Sequence, residues 1–143
     1  MKTLRTLMLV ACCALFAISC SRQDARAQLA DACKEINSAC PTQLDYLTTL
    51  TNVEYDYGDE YFVYNYLVDE SVVSIELLEE NLGNIVDEVL ESLRGDDPDI
   101  KAFLDACIQA DVDLLYVYHG DQTGDSCHFT YDPETKQFYL PEH

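Results

Sequence analysis

The chain has 143 residues, and its eight basic and 27 acidic residues give a net charge of −19 with histidine neutral. A charge this negative argues against nucleic acid as a partner, because proteins bind phosphate backbones mainly through lysine and arginine. Apolar residues make up 48% of the chain, which argues against a disordered protein of low hydropathy. The length is that of one domain rather than two.

The first twenty residues have the organisation of an export signal. Lys2 and Arg5 precede an apolar run, Leu7 to Ile18, which is shorter than the roughly 20 residues that span a bilayer. The run ends in AISC (residues 17–20), which resembles the lipobox of bacterial lipoproteins. The resemblance implies cleavage before Cys20 and lipidation of that cysteine. We therefore divide the chain into a lipoprotein signal peptide (1–19), a lipidated tether (20–26) and a single α+β domain (27–143).

This N-terminus, the size and the acidity are similar to those of the small lipoproteins of uncharacterised function that Bacteroidetes-type bacteria export. The similarity implies attachment to the cell envelope through the lipid and implies no activity. Ser21, rather than Asp, follows the cysteine, which favours the outer membrane over the inner one. An ordinary signal peptide cut at another position is the alternative. Without residues 1–19, six basic and 27 acidic residues remain, and the charge of −21 favours cationic partners.

Periodicity predicts one helix and then two strands in the first half of the domain. In residues 27–38, apolar side chains recur at helical spacing. Residues 51–57 alternate between apolar and polar, which is typical of a half-buried strand. Residues 61–68 are nearly all apolar or aromatic, as expected for a more central strand. Gly58 and Asp59 predict a turn that joins the two strands in a hairpin.

The second half predicts two helices and a second hairpin. Residues 74–94 carry apolar side chains at helical spacing opposite acidic ones, with a break expected near Gly83. Asp97 and Pro98 have the residue types that begin a helix. Strands are predicted over residues 114–118 and 126–131. The order α-ββ-αα-ββ predicts an α+β fold in which helices cover one face of a four-stranded antiparallel sheet.

Four cysteines remain after the signal and the lipidation site. An even number in an exported chain predicts two disulfides, and the sequence leaves all three pairings open. Buried free thiols are the alternative. Zinc is disfavoured because no two of these cysteines have the close spacing that structural zinc sites use. The four are Cys33, Cys40, Cys107 and Cys127.

Tyrosines concentrate in the predicted strands. A sheet covered on one face leaves about half of its side chains on the other, and tyrosine is enriched at protein interfaces. We therefore predict a partly exposed aromatic face that binds a partner, with simple β-propensity as the alternative explanation. The candidate residues are Tyr55, Tyr57, Tyr61, Tyr64, Tyr66, Tyr116 and Tyr118.

His119 and His128 lie on the last predicted hairpin and would form a metal or acid–base site only in a register that places them together. The acidic Gly-containing turns lack the frame of a helix-loop-helix calcium site, and no motif for a catalytic nucleophile is present. We predict no catalytic residue, metal or cofactor. The favoured function is a non-catalytic envelope module that binds a cationic protein or a glycan. An envelope enzyme or metal-binding protein using the two histidines is the alternative, and a passive component of an envelope assembly is the third hypothesis.

Overall fold

The computed structural model describes residues 22–141, in which four helices pack against one six-stranded sheet. The helices are α1 (Arg22–Ser38), α2 (Ile75–Glu80), α3 (Leu82–Leu93) and α4 (Pro98–Ala110). The strands are β1 (Thr42–Gln43), β2 (Thr48–Glu54), β3 (Tyr61–Val68), β4 (Asp113–Gly120), β5 (Ser126–Asp132) and β6 (Gln137–Tyr139). The predicted signal peptide and lipidated cysteine lie outside the described residues. Within the described range, no helix is long and apolar enough to cross a membrane.

The sheet has the strand order β1-β2-β3-β4-β5-β6 and is mixed, because β3 and β4 are parallel while every other pair is antiparallel. The α+β class and both hairpins are confirmed. The prediction of four antiparallel strands is wrong. Three helices connect β3 to β4 and return the chain to the end where β3 began, which makes the next strand parallel. The two strands that were missed, β1 and β6, are too short to show a period.

The helix boundaries differ from the prediction mainly at the N-terminus. Helix α1 begins at Arg22, and Ala25, assigned to the tether, is fully buried. Residues 22–26 therefore belong to the folded domain. Helices α2 and α3 separate at Asn81, whose side-chain amide donates to the carbonyl of Leu77. Asp97 caps α4 as expected, because its carboxylate accepts two backbone N–H groups of the first turn.

One face of the sheet and the apolar sides of all four helices form a single core cluster in the described part of the chain. Along β3, β4 and β5, every second side chain is buried, and the intervening ones are partly or fully exposed. This alternation is typical of a sheet that is covered on one side. We call the uncovered side the open face. Its side chains are Tyr61, Val63, Asn65, Leu67, Asp113, Leu115, Val117, His119, Ser126, His128, Thr130 and Asp132.

Candidate functional site

Most of the candidate tyrosines point into the core rather than to solvent. Tyr64 and Tyr66 pair in register with Tyr116 and Tyr118 across the parallel strands, so all four share the face that the helices cover. Each of the four is at most 6% exposed. Tyr55 is also buried in this cluster. The expected aromatic binding face is therefore corrected, since these five tyrosines are not available to a partner.

The buried tyrosines form a stack with Phe129. The ring centroids of Tyr64 and Tyr116 are 5.1 Å apart, and those of Tyr66 and Tyr118 are 4.8 Å apart, with the planes nearly parallel. The stack continues to Phe129, whose ring centroid lies 4.8 Å from that of Tyr116. Burial raises the pKa of both Tyr66 and Tyr118 above the usual value, because the apolar surroundings disfavour the charged phenolate. These contacts give the rings a structural role.

Two candidate tyrosines remain accessible, in different places. Tyr57 is 56% exposed in the turn between β2 and β3, while Tyr61 is 39% exposed at the start of β3 on the open face. Leu67, on the same face, is also 39% exposed. Val63 and Val117 lie between them and are partly buried. The open face therefore has an apolar strip along β3, interrupted by Asn65, that no described element covers.

The open face also carries a chain of polar side chains across three strands. The side-chain amide of Asn65 donates to the carboxylate of Glu54 at 3.3 Å. His119 Nε2 lies 3.0 Å from the amide oxygen of Asn65. Because an amide oxygen only accepts hydrogen bonds, this contact places a proton on Nε2. The chain fixes the orientation of the imidazole on β4.

Both histidines lie on the open face, because Val117 pairs with His128 and His119 pairs with Ser126. This register makes the two histidines diagonal neighbours across β4 and β5. The hydrogen bond to Asn65 engages one nitrogen of His119, which leaves a single ring nitrogen of this residue for another ligand. Among residues 22–141, no group of three or more His, Cys, Asp or Glu side chains is arranged to hold a metal ion.

One end of the open face is strongly acidic. Leu114 pairs with Tyr131. One residue farther along each strand, Asp113 and Asp132 therefore face each other. Burial raises the pKa of Asp113, and the nearby carboxylates of Asp132 and Glu60 raise it further. Like charges that face each other across two strands destabilise a sheet. A cationic group bound here would relieve that repulsion.

The four cysteines are free thiols in the structure, so the predicted disulfides are not formed. Cys33, Cys107 and Cys127 are buried in the apolar core, while Cys40 is half-buried after the end of α1. Cys107 lies on α4, which packs on α1, whereas Cys127 lies on β5, which packs on α2. Cys107 and Cys127 therefore lie in different parts of the core.

The acidic turn that follows β4 is held by hydrogen bonds to Glu70. The carboxylate of Glu70 accepts the backbone N–H groups of Gln122 and Thr123, each at 2.8 Å. In return, Asp121 accepts the backbone N–H of Glu70 at 3.0 Å. A Cβ atom at Gly120 would collide with the Glu70 carboxylate, which explains the glycine. Turn formation therefore accounts for these Asp and Gly residues.

A small apolar cavity lies between the β1–β2 loop and α3. Its volume is about 100 Å³, well below the roughly 300–1,000 Å³ typical of ligand pockets. This size argues against the cavity as the principal binding site. Its apolar and aromatic lining consists of Leu44, Leu47, Tyr66, Leu78, Ile85, Val89 and Tyr118.

Comparison with known proteins gives a family and a related fold. Residues 24–129 match a family described as a domain of unknown function, DUF8479. No curated protein matches the sequence. Among solved structures, the crystal structure of a "putative secreted protein" from Pseudomonas aeruginosa at 1.60 Å resolution matches with a TM-score of 0.64 and 12% identity, covering 85% of this chain and 100% of that one. At this identity, the similarity concerns the fold alone.

Proposed function

The chain belongs to the DUF8479 family, a domain of unknown function, and we propose that this member is a non-catalytic interaction module of the bacterial cell envelope. Its open face binds a cationic protein. The observation that carries the proposal is that this face combines an apolar strip along β3 with an acidic end. Both parts lie on strands of a rigid sheet, which suits a preformed interface.

Each part of the open face favours a different aspect of binding. The exposed side chains of Tyr61 and Leu67 supply apolar area at the two ends of the apolar strip, and aromatic residues contribute strongly to interface energy. The paired carboxylates of Asp113 and Asp132 attract positive charge. The net charge of −19 extends this attraction to longer range and accelerates encounter with a basic partner. A glycan would gain little from the acidic end, so a cationic protein is the better match.

We further propose that a lipid on Cys20 holds the domain in the outer membrane. The lipobox-like segment supports this attachment, and the description of the fold neighbour as secreted agrees with export. Arg22, two positions after Cys20, already lies in α1, so the lipid would be attached beside the folded domain. The partner must then bind close to the membrane surface.

Affinity capture from native envelope tests the binding proposal. The bait is the chain from Ser21 onward, because this part of the chain contains the core cluster described above. The double variant Tyr61→Ser/Leu67→Ser removes the two most exposed side chains of the apolar strip. Its matched control is Tyr46→Ser/Leu77→Ser, which changes the same residue types at exposed positions in the β1–β2 loop and on α2.

We expect the unchanged bait to capture a basic protein at low salt and to release it at high salt. The open-face variant should lose that protein, and the control should retain it. Asp113→Asn/Glu60→Gln should also weaken capture, whereas Asp87→Asn/Glu80→Gln, with the same change of charge on the helices, should not. A folded bait that captures nothing, or a partner lost equally from the control, would contradict the proposal.

A further inference from the structure

The basic residues of this acidic chain are unevenly distributed. Six of the eight lie in residues 22–141, and three of those six line a single cleft of about 390 Å³. Arg94 follows the end of α3, Lys101 lies on α4, and Lys136 lies in the turn between β5 and β6. Three separate elements thus bring positive charge to one place on a molecule whose net charge is strongly negative.

Two of these cations have no acidic partner in the described part of the chain. Arg94 and Lys136 form no ion pair within residues 22–141. Lys101 lies 3.7 Å from Asp96, but both side chains are largely exposed, and such surface pairs contribute little. Asp105 is the acidic residue among those lining the cleft. The cleft therefore has an excess of positive charge available to a ligand.

The walls between the cations are apolar. Leu93 and Tyr131 are 6% and 3% exposed and form the buried side of the cleft. The rest of the apolar lining is Leu90, Leu104, Pro133 and Ile108, the last of which is 40% exposed. The volume is in the range of sites for small molecules, which is roughly 300–1,000 Å³. An apolar wall beside unpaired cations matches a molecule that has an apolar body and an anionic head.

The turn that carries Lys136 has a defined conformation. The carboxylate of Asp132 accepts the backbone N–H groups of Glu134 and Thr135, and the backbone N–H of Lys136 donates to the carbonyl of Asp132 at 2.8 Å. Lys136 has a φ of 61°, in the left-handed region. This conformation fixes the backbone from which the lysine side chain reaches the cleft.

We infer that this cleft binds a small organic carboxylate with an apolar body. The carboxylate pairs with Arg94 and Lys136, and the body lies on the wall formed by Leu93, Leu104 and Tyr131. Arginine suits the head group because its guanidinium can bind both oxygens of a carboxylate. The lining residues of this cleft do not include those of the open face, so the two sites can be tested separately.

The test uses the chain from Ser21 onward and two probes that share one apolar body, decanoate and decanol. Binding is measured by calorimetry, and its location is mapped from backbone amide chemical shifts. Arg94→Gln/Lys136→Gln removes the unpaired cations. Arg22→Gln/Lys34→Gln is the matched control, because it removes the same charge from α1.

We expect decanoate to bind and to shift the amides of Leu93, Leu104 and Ile108. The cleft variant should bind about tenfold more weakly or not at all, and the control should bind as the unchanged chain does. Decanol should bind at least about tenfold more weakly than decanoate. Equal binding of the two probes, equal loss in the control variant, shifts elsewhere, or no binding of decanoate would each overturn the inference.

Discussion

Single thiols differ in how accessible they are to solvent. Cys40 is half-buried, while the side chains of Cys33, Cys107 and Cys127 are buried. Burial raises the pKa of Cys33 and Cys40 and raises that of Cys127 to about 11. Because the thiolate is the reactive form, each raised pKa lowers reactivity at pH 8, and burial blocks reagent access as well.

We therefore expect one thiol, Cys40, to react first with dithionitrobenzoate in the folded domain at pH 8. Cys40→Ala should remove this fast phase, and Cys127→Ala should leave it in place. In guanidinium chloride, without reductant, all four thiols of the domain from Ser21 onward should react. Fewer than four would indicate disulfides and would contradict the free thiols of the structure.

Asn37 joins α1 to the outer edge of β2. Its side chain accepts the backbone N–H of Val53 at 2.8 Å and donates to the carbonyl of the same residue at 2.9 Å. Strand β1 pairs only with Thr49 and Leu50, so Asn37 replaces the missing strand neighbour farther along β2. Val53 is 1% exposed, so loss of Asn37 would leave its backbone N–H without this partner and its carbonyl with only the weak thiol donor of Cys33.

Asn37→Ala should lower the free energy of unfolding by about 2 kcal/mol, because two hydrogen bonds to poorly hydrated backbone groups are lost. Asn84→Ala, at an exposed position of α3, is the control and should change stability by less than about 0.5 kcal/mol. Denaturant titration measures both. Equal stability of the two variants would show that the link between α1 and β2 adds nothing.

Between elements, Glu70 connects the end of β3 to the turn after β4. The N–H groups of Thr123 and Gln122, the former contributing most, lower the pKa of the Glu70 carboxyl below its ordinary value of 4.5. A lowered pKa means that the folded state favours the charged form. The stabilisation is therefore present above pH 4.5 and is lost as the pH falls through the lower folded value.

Glu70→Gln should reduce the denaturant midpoint at pH 7, because the neutral amide accepts the N–H groups of the turn more weakly than a carboxylate does. The difference from the unchanged domain should shrink as the pH falls below 4.5, since Glu70 itself becomes neutral. Glu80→Gln, at an exposed position on α2, serves as the control. A difference that stays constant with pH would contradict a role for the charge.

The helices and strands could be predicted where the spacing of apolar side chains is regular over several residues. Helices α3 and α4 and strands β3, β4 and β5 all show such patterns, whereas β1 and β6 are too short. The parallel pairing of β3 with β4 has no local signal, because it depends on the path of three helices. The sequence contains a signal for the inward orientation of the tyrosines. Asn65 and His119 alternate with them along β3 and β4, and such polar side chains are expected on the open face.

For the whole molecule, the proposed attachment to the membrane would depend on one residue outside the described range, Cys20. We expect labelled palmitate to be incorporated into the full chain in cells of its native type. Cys20→Ala should abolish the label and release the protein from the membrane fraction. Cys13→Ala, in the same signal segment, should keep both. Labelling that persists in Cys20→Ala would contradict the lipoprotein assignment.

The stack of aromatic rings in the core has a spectroscopic consequence. The chain has ten tyrosines and no tryptophan, so tyrosine dominates its near-ultraviolet absorption. Rings held 4.8–5.1 Å apart in fixed, nearly parallel orientations couple their electronic transitions, and this coupling produces circular dichroism only while the packing persists. The molecule thus contains its own chromophore for native packing, and a fully folded variant must retain this signal.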